Sequence, residues 1–182
     1  PPPDDDVISM GGTLIRLVED KHEVHVAYMT SGNIAVFDHD ALRFADFIAE
    51  FNKHAGIDPS KSKQVTDRIS ELLNSKKPGQ RDAEEVLFIK GLIRATEARA
   101  GALTVGIPPE QLHFMDMPFY RTGTIAKMPV GPEDVKVTAE LIRKLNPEQI
   151  YMAGDLSDPH GTHRLCADAI LAACVELQKE GI

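Results

Sequence analysis

Three adjacent carboxylates, Asp4, Asp5 and Asp6, follow Pro3 near the start of this 182-residue sequence, and two histidines, His160 and His163, stand three residues apart near its end. Oxygen and nitrogen donors of these kinds are the ones zinc accepts. A single acid before a helix is explained by the unpaired N–H groups and the dipole at a helix N-terminus. Three in succession repel one another in a way that capping does not require, and a divalent cation would relieve that repulsion. The histidines fall in Asp155-Leu156-Ser157-Asp158-Pro159-His160-Gly161-Thr162-His163, a polar, turn-forming stretch after an apolar run, where loop residues carry function. Together the two clusters read as most of one metal site. The other five histidines, His22, His25, His39, His54 and His113, lie in strands, a turn or near helix ends and read as structural.

Side chains this distant in sequence act together only if the fold brings them to one edge. Periodicity predicts a helix over 7–20, a strand over 23–29 ending in the small polar turn Thr30-Ser31-Gly32-Asn33, and amphipathic helices over 40–54 and 61–73. A long helix over 81–102 is followed by the stop Gly106-Ile107-Pro108-Pro109 and a short strand over 112–117. A helix over 132–145 opens on a proline, a buried strand covers 149–153, and a terminal helix covers 162–179. Gly11-Gly12 is expected where the first helix lies close against a sheet. Such alternation predicts an α/β fold, layered around a mostly parallel sheet, with residues 1–182 forming one domain. Ligands of such sheets bind beyond the carboxyl ends of the strands. For the acidic cluster to lie there, a strand should precede Pro3, so the expectation is a domain truncated at its N-terminus with that first strand absent.

Composition narrows the function. A net charge of −8 with scattered Lys and Arg argues against a nucleic-acid surface, whose electrostatic attraction needs clustered basic groups. No run approaches the roughly 18 apolar residues of a membrane span, and the start is acidic and proline-rich, so a cytoplasmic protein without membrane contact is expected. Cys166 and Cys174 lie eight residues apart on one predicted helix, too far for a disulfide, and are expected as reduced core thiols. A G-x-S-x-G elbow, a G-x-G-x-x-G turn and a phosphate loop are all absent, which disfavours serine hydrolases and nucleotide binders.

The run Pro3-Asp4-Asp5-Asp6-Val7-Ile8-Ser9-Met10-Gly11-Gly12-Thr13 resembles the HPDD-[DE] opening of the LmbE-like, or PIG-L, N-acetylglucosaminyl de-N-acetylases. The stretch Asp158-Pro159-His160-Gly161-Thr162-His163 resembles their second histidine motif, and the strand before Thr30-Ser31-Gly32 and the helix carrying Arg94-Ala95-Thr96-Glu97 also fit. The wording is most similar to the LmbE-like domain of long glucosamine-6-phosphate deaminase-like proteins, which implies a covalently attached deaminase-like domain in the full-length protein. The resemblance implies a Rossmann-like fold, a zinc cofactor, and an N-acetylated amino sugar or sugar phosphate as substrate. By position it makes Asp4 the general base, Asp5 and His163 metal ligands, and His160 the group that stabilises the oxyanion or protonates the leaving amine. Arg94 is a candidate for holding a sugar hydroxyl or phosphate. One departure stands out: the first metal histidine of the motif is here Pro2, which has no side-chain donor. Weakened or lost zinc is the expected consequence, with a non-catalytic sugar-binding module as the alternative reading and a trimmed fragment of a working enzyme as a third.

Overall fold

The computed structural model of the chain describes residues 2–181. It divides into two compact units, one made of the residues up to Ser31 with those from Glu97 onward, the other of Gly32–Thr96. The elements in order are α1 (Asp5–Glu19), β1 (Val26–Tyr28), α2 (Asp38–His54), α3 (Pro59–Asn74), α4 (Glu84–Thr104), β2 (Leu112–Phe114), α5 (Pro132–Leu145) and α6 (Thr162–Lys179), with short 3-10 turns between some of them. Among the described residues no helix is long and apolar enough to cross a membrane.

In the first unit, β1 and β2 pair in parallel with Val26 opposite Leu112, Ala27 opposite His113 and Tyr28 opposite Phe114. The ladder is prolonged by Met115 N–H donating to the Tyr28 carbonyl and Met117 N–H to that of Met29, each at 2.9 Å. The inner face of β1 buries Val24, Val26 and Tyr28 against Leu14 of α1, Ala98 and Ala102 of α4, Ile107 and Leu112. Small residues on α4 let α1 approach: a Cβ on Gly101 would meet the Val7 methyls at 3.4 Å. The predicted close glycines are therefore misplaced, since Gly11 and Gly12 have nothing within 4 Å of a Cβ and α1 turns them away from the sheet. A second apolar contact, Val135 and Ala139 with Ala173 and Leu177, joins α5 to α6. Asp134 ties that pair to the loop after β2, accepting from Gly131 N–H at 2.8 Å and from Phe119 N–H at 3.0 Å.

The predicted strand at 149–153 does not form, and Ile150, Tyr151 and Met152 are exposed. Apolar composition alone does not make a strand; it needs a neighbouring backbone to exchange ladder hydrogen bonds, and β1 and β2 are the strands of the one sheet among the described residues. The architecture is thus a helix-rich α/β arrangement with a two-stranded parallel sheet. Cys166 is buried and Cys174 half-buried, both free, and burial pushes the Cys166 thiol up to about 11, which keeps it protonated and unreactive.

In the second unit, α2 packs on α3, and Val36, Ala41, Ala45, Ile69, Val86, Ile89 and Ile93 form its core. The Thr66 hydroxyl on α3 donates to the Ala45 carbonyl at 3.1 Å, and Asp58 caps α3 by accepting from Ser60 N–H at 3.0 Å. Its polar centre is a ring of two cations and two anions. Lys90, buried on α4, reaches Asp38 at 2.6 Å and Asp82 at 2.7 Å, and Lys76 pairs with the same two at 3.1 and 2.6 Å. Burial opposes charge on Asp38, but Lys90 and Lys76 outweigh it and hold the carboxyl below its usual value. Removing Lys90, the buried member of the set, leaves the largely buried Asp82 carboxylate without full compensation, while the more exposed Asp38 keeps water and Lys76. Lys90→Ala is therefore expected to lower stability by about 3 kcal/mol, measured by urea unfolding.

At the start of the ladder, His25 Nδ1 and His113 Nε2 lie 3.0 Å apart, and His25 Nε2 meets Glu23 Oε1 at 3.0 Å. Burial, the facing His25 and Lys144 of α5 all push the His113 pKa down. Because the folded value is below the unfolded one, His113 costs nothing while both states are neutral; the penalty grows as pH falls below about 6.5 and is complete below the folded pKa. The thermal midpoint should thus fall between about pH 7.5 and about pH 5 by more in the wild type than in His113→Gln.

Candidate functional site

The acidic cluster enters α1 through Asp4, whose backbone occupies the left-handed region at φ 74° and whose side chain makes no capping bond to the first turn. A residue other than glycine in that region carries strain that the surroundings must hold in place. Successive helical residues point about 100° apart, so the three carboxylates cannot share one direction. Asp6 turns inward, buried, and accepts a 2.6 Å hydrogen bond from the Tyr28 hydroxyl. Burial and the Asp6 carboxylate push the Tyr28 phenol up, so it remains a protonated donor. The Tyr28 ring itself is fixed by stacking on Phe114, its partner across the ladder, at 4.9 Å between centroids.

With Asp6 so held, Asp5 is directed at the other end of the chain: its Oδ2 lies 3.0 Å from His163 Nε2. His163 stands in the first turn of α6, which starts after Gly161 in the left-handed conformation at φ 67°. Asp158 sets up this turn. Its buried Oδ2 accepts from Thr162 N–H at 2.8 Å and lies 2.7 Å from His160 Nδ1. Burial works against the charge on Asp158, yet the N–H groups of Thr162 and His163 and the imidazoles of His163 and His160 hold its pKa below the usual carboxylate value. The exposed His160 ring stands edge-on to His163 with centroids 6.1 Å apart.

Several buried polar atoms here have no hydrogen-bond partner: Asp6 Oδ1, Thr30 Oγ1, Ser31 Oγ, Asp158 Oδ1 and His163 Nδ1. Buried polar groups are ordinarily satisfied, so orphans on the first helical turn, the loop after β1 and the entry to α6 mark a place where water or a ligand belongs. The carboxylate oxygen and imidazole nitrogen, 3.0 Å apart, are hydrogen-bonded to each other, and both are donor types that zinc accepts. The donor set ends there. Among the described residues no group of three or more His, Cys, Asp or Glu side chains is gathered for a metal, and Pro2 contributes none. Two zinc-type donors are brought together, one fewer than the three protein ligands of a catalytic zinc site.

Of the sequence-predicted site residues, Asp5, His160 and His163 thus meet, with Asp4 at the adjoining helix entrance. Arg94 is half-buried on α4 in the other unit. Sequence reasoning did not single out Tyr28 or assign a role to Asp158. Their signals were present: a tyrosine in a strand that must find a partner for its hydroxyl, and an Asp-Pro dipeptide ahead of a helix.

The chain belongs to the PIG-L family, whose profile, described as GlcNAc-PI de-N-acetylase, matches residues 1–174. Over 183 residues it is 52% identical to a glucosamine-6-phosphate deaminase-like protein of Bacteroides thetaiotaomicron, covering 99% of this chain and 27% of the relative. The chain therefore spans little more than a quarter of the length of the curated relative it matches. No solved structure matches it.

Asp158→Ala removes the bond to the first turn of α6 and the anchor of His160 together. It is expected to lower the urea unfolding free energy by about 1–2 kcal/mol, the usual worth of an N-terminal helix bond from an aspartate.

Proposed function

We propose that this chain binds N-acetylglucosamine-type amino sugars and hydrolyses their amide, releasing acetate and a free amine. The observation that carries the reading is the Asp5–His163 pair at 3.0 Å beside the Asp158-anchored His160. Water adds to the amide carbonyl carbon, giving its proton to Asp4, the carboxylate at the helix entrance. His160 faces the charge that develops on the carbonyl oxygen, and the proton passes to the nitrogen as the C–N bond breaks. Zinc, when held by Asp5 and His163, supplies carbonyl polarisation and a more acidic water. Arg94 is carried as a contact for a sugar hydroxyl or phosphate on the sequence resemblance alone. The parallel β1–β2 pair, with the loops after both strands at its carboxyl edge, supports a Rossmann-like layering. The relative's name and length support an attached deaminase-like domain and an amino-sugar context.

Pro2 favours a second reading, a sugar-binding module that has lost turnover. The two are separated by measuring zinc content and amine release from N-acetylglucosamine in the wild type and in Pro2→His. Sub-stoichiometric zinc and slow turnover are expected for the wild type, with both rising in Pro2→His. In that background Asp4→Asn is expected to slow turnover by about 10²-fold or more while leaving sugar binding intact. A Pro2→His protein with a full zinc complement that releases no amine would sink the hydrolase reading, and sugar binding indifferent to chelator would favour the module.

A further inference from the structure

The second unit exposes an aromatic face that its own core does not use. Of its phenylalanines, Phe44 packs against the core, whereas Phe37, Phe47, Phe51 and Phe88 are exposed. On α2, Phe44, Phe47, Ile48 and Phe51 follow the i, i+3, i+4, i+7 spacing that puts side chains on one helix face. Phe47, Ile48 and Phe51 are 65%, 41% and 56% exposed, and the Phe47 and Phe51 rings stack with centroids 6.3 Å apart. Single exposed apolar residues are ordinary, but an apolar stripe at this spacing is how one helix is read by another surface. Charge is divided along the same helix, whose first turn carries Asp38 and Asp40 and whose last turn carries Lys53 and His54. Asp40, Phe44, Phe47, Phe51 and His54 recur at alternating steps of four and three residues and so form one stripe. Asp40 and His54 each stand seven residues from Phe47, which is about 10 Å along the axis in either direction.

We propose that this face of α2 is a homodimer interface, on which a second copy of the chain lays its own α2 antiparallel about a two-fold axis at Phe47. A two-fold contact brings the same patch of both subunits together, so the patch must complement itself when reversed. The stripe meets that condition. Reversal about Phe47 sets Phe47 against its twin, Phe44 near Phe51, and the acidic start at Asp40 against the basic end at His54 of the second copy. A parallel arrangement would set like charges together at both ends, and a partner of one sign would be attracted at one end and repelled at the other. Antiparallel pairing also places helix-dipole ends of opposite sign side by side. Asp40 already meets Arg43 Nη2 at 2.9 Å and His39 Nε2 at 3.6 Å. Those cations are exposed on the same helix, so the pairs are weak ones that leave the carboxylate able to face a further charge.

Sedimentation velocity of the chain between about 1 μM and about 100 μM tests it, and the wild type is expected to form a dimer within that range. Phe47→Asp, with circular dichroism unchanged, should raise the dimer dissociation constant about thirtyfold or more. His54→Glu should weaken the dimer by setting two carboxylates together, and adding Asp40→Lys to it should restore the association. In a Cys174→Ser background, Phe47→Cys should cross-link two copies on mild oxidation, because the axis passes at that residue. A wild type that stays monomeric up to about 100 μM overturns the proposal, and so does a chain whose α2 face proves to be covered by another part of a longer polypeptide. A dimer indifferent to Phe47→Asp, a double charge variant no stronger than His54→Glu alone, or a Phe47→Cys protein that does not cross-link would each overturn it as well. Should Phe47→Asp disturb the helix, the cross-link and the charge pair read the same interface without it.

Discussion

The hydrogen bond from the Tyr28 hydroxyl to Asp6 is the interaction on which the geometry of the site depends. It joins the end of the only ladder among the described residues to the first turn of α1, and both partners are buried, so losing it would leave a desolvated polar group. Fixing Asp6 fixes the rotation of α1 about its axis. That rotation aims Asp5 at His163, since neighbouring residues on a helix diverge by about 100°. A tyrosine whose proton is held by burial and by the acceptor itself gives the bond one polarity at any ordinary pH. The ring stacking on Phe114 carries the same constraint across to β2, so the two strands position the acidic cluster together.

Asp158 organises the other half of the site. Its one carboxylate satisfies the first turn of α6 and orients His160, so helix start and imidazole position cannot vary independently. Its neighbours keep it charged despite burial. The bonds that hold this half are local to α6 and its entry, while those that hold the acidic half run through the sheet. The Asp5–His163 contact, between residues 158 apart in sequence, links the two.

Much of this was legible in the chain. The helices follow their apolar spacing and their proline and acid starts: α5 and α6 occupy the predicted spans 132–145 and 162–179, and the remaining helices and the two strands lie within a few residues of prediction. Helix boundaries are local properties, set by caps and side-chain spacing, and a sequence displays them. The failures are non-local. Gln149–Ala153 has strand composition but no neighbouring backbone, and pairing is something a single segment cannot specify. Gly11 and Gly12 looked like a contact, whereas the close approach to α1 falls at Gly101, on a helix whose face is decided by tertiary packing. For the site, residue types and spacing pointed to the two clusters, but which groups Tyr28 and Asp158 would anchor is decided by who lies beside whom.

On the proposed reading, Pro2 bears on the metal and not on the geometry of the other side chains. A proline there removes a donor atom and nothing else that the remaining residues supply: Asp5 and His163 still face each other, Asp158 still holds His160, and the buried orphans near them still lack partners. A metal held by two protein ligands loses affinity more than it loses chemistry, because the unfilled positions go to water, and a bound water is also what hydrolysis requires. On the proposed hydrolase reading, Pro2 would therefore act on turnover through metal occupancy, with the arrangement of the other side chains unchanged.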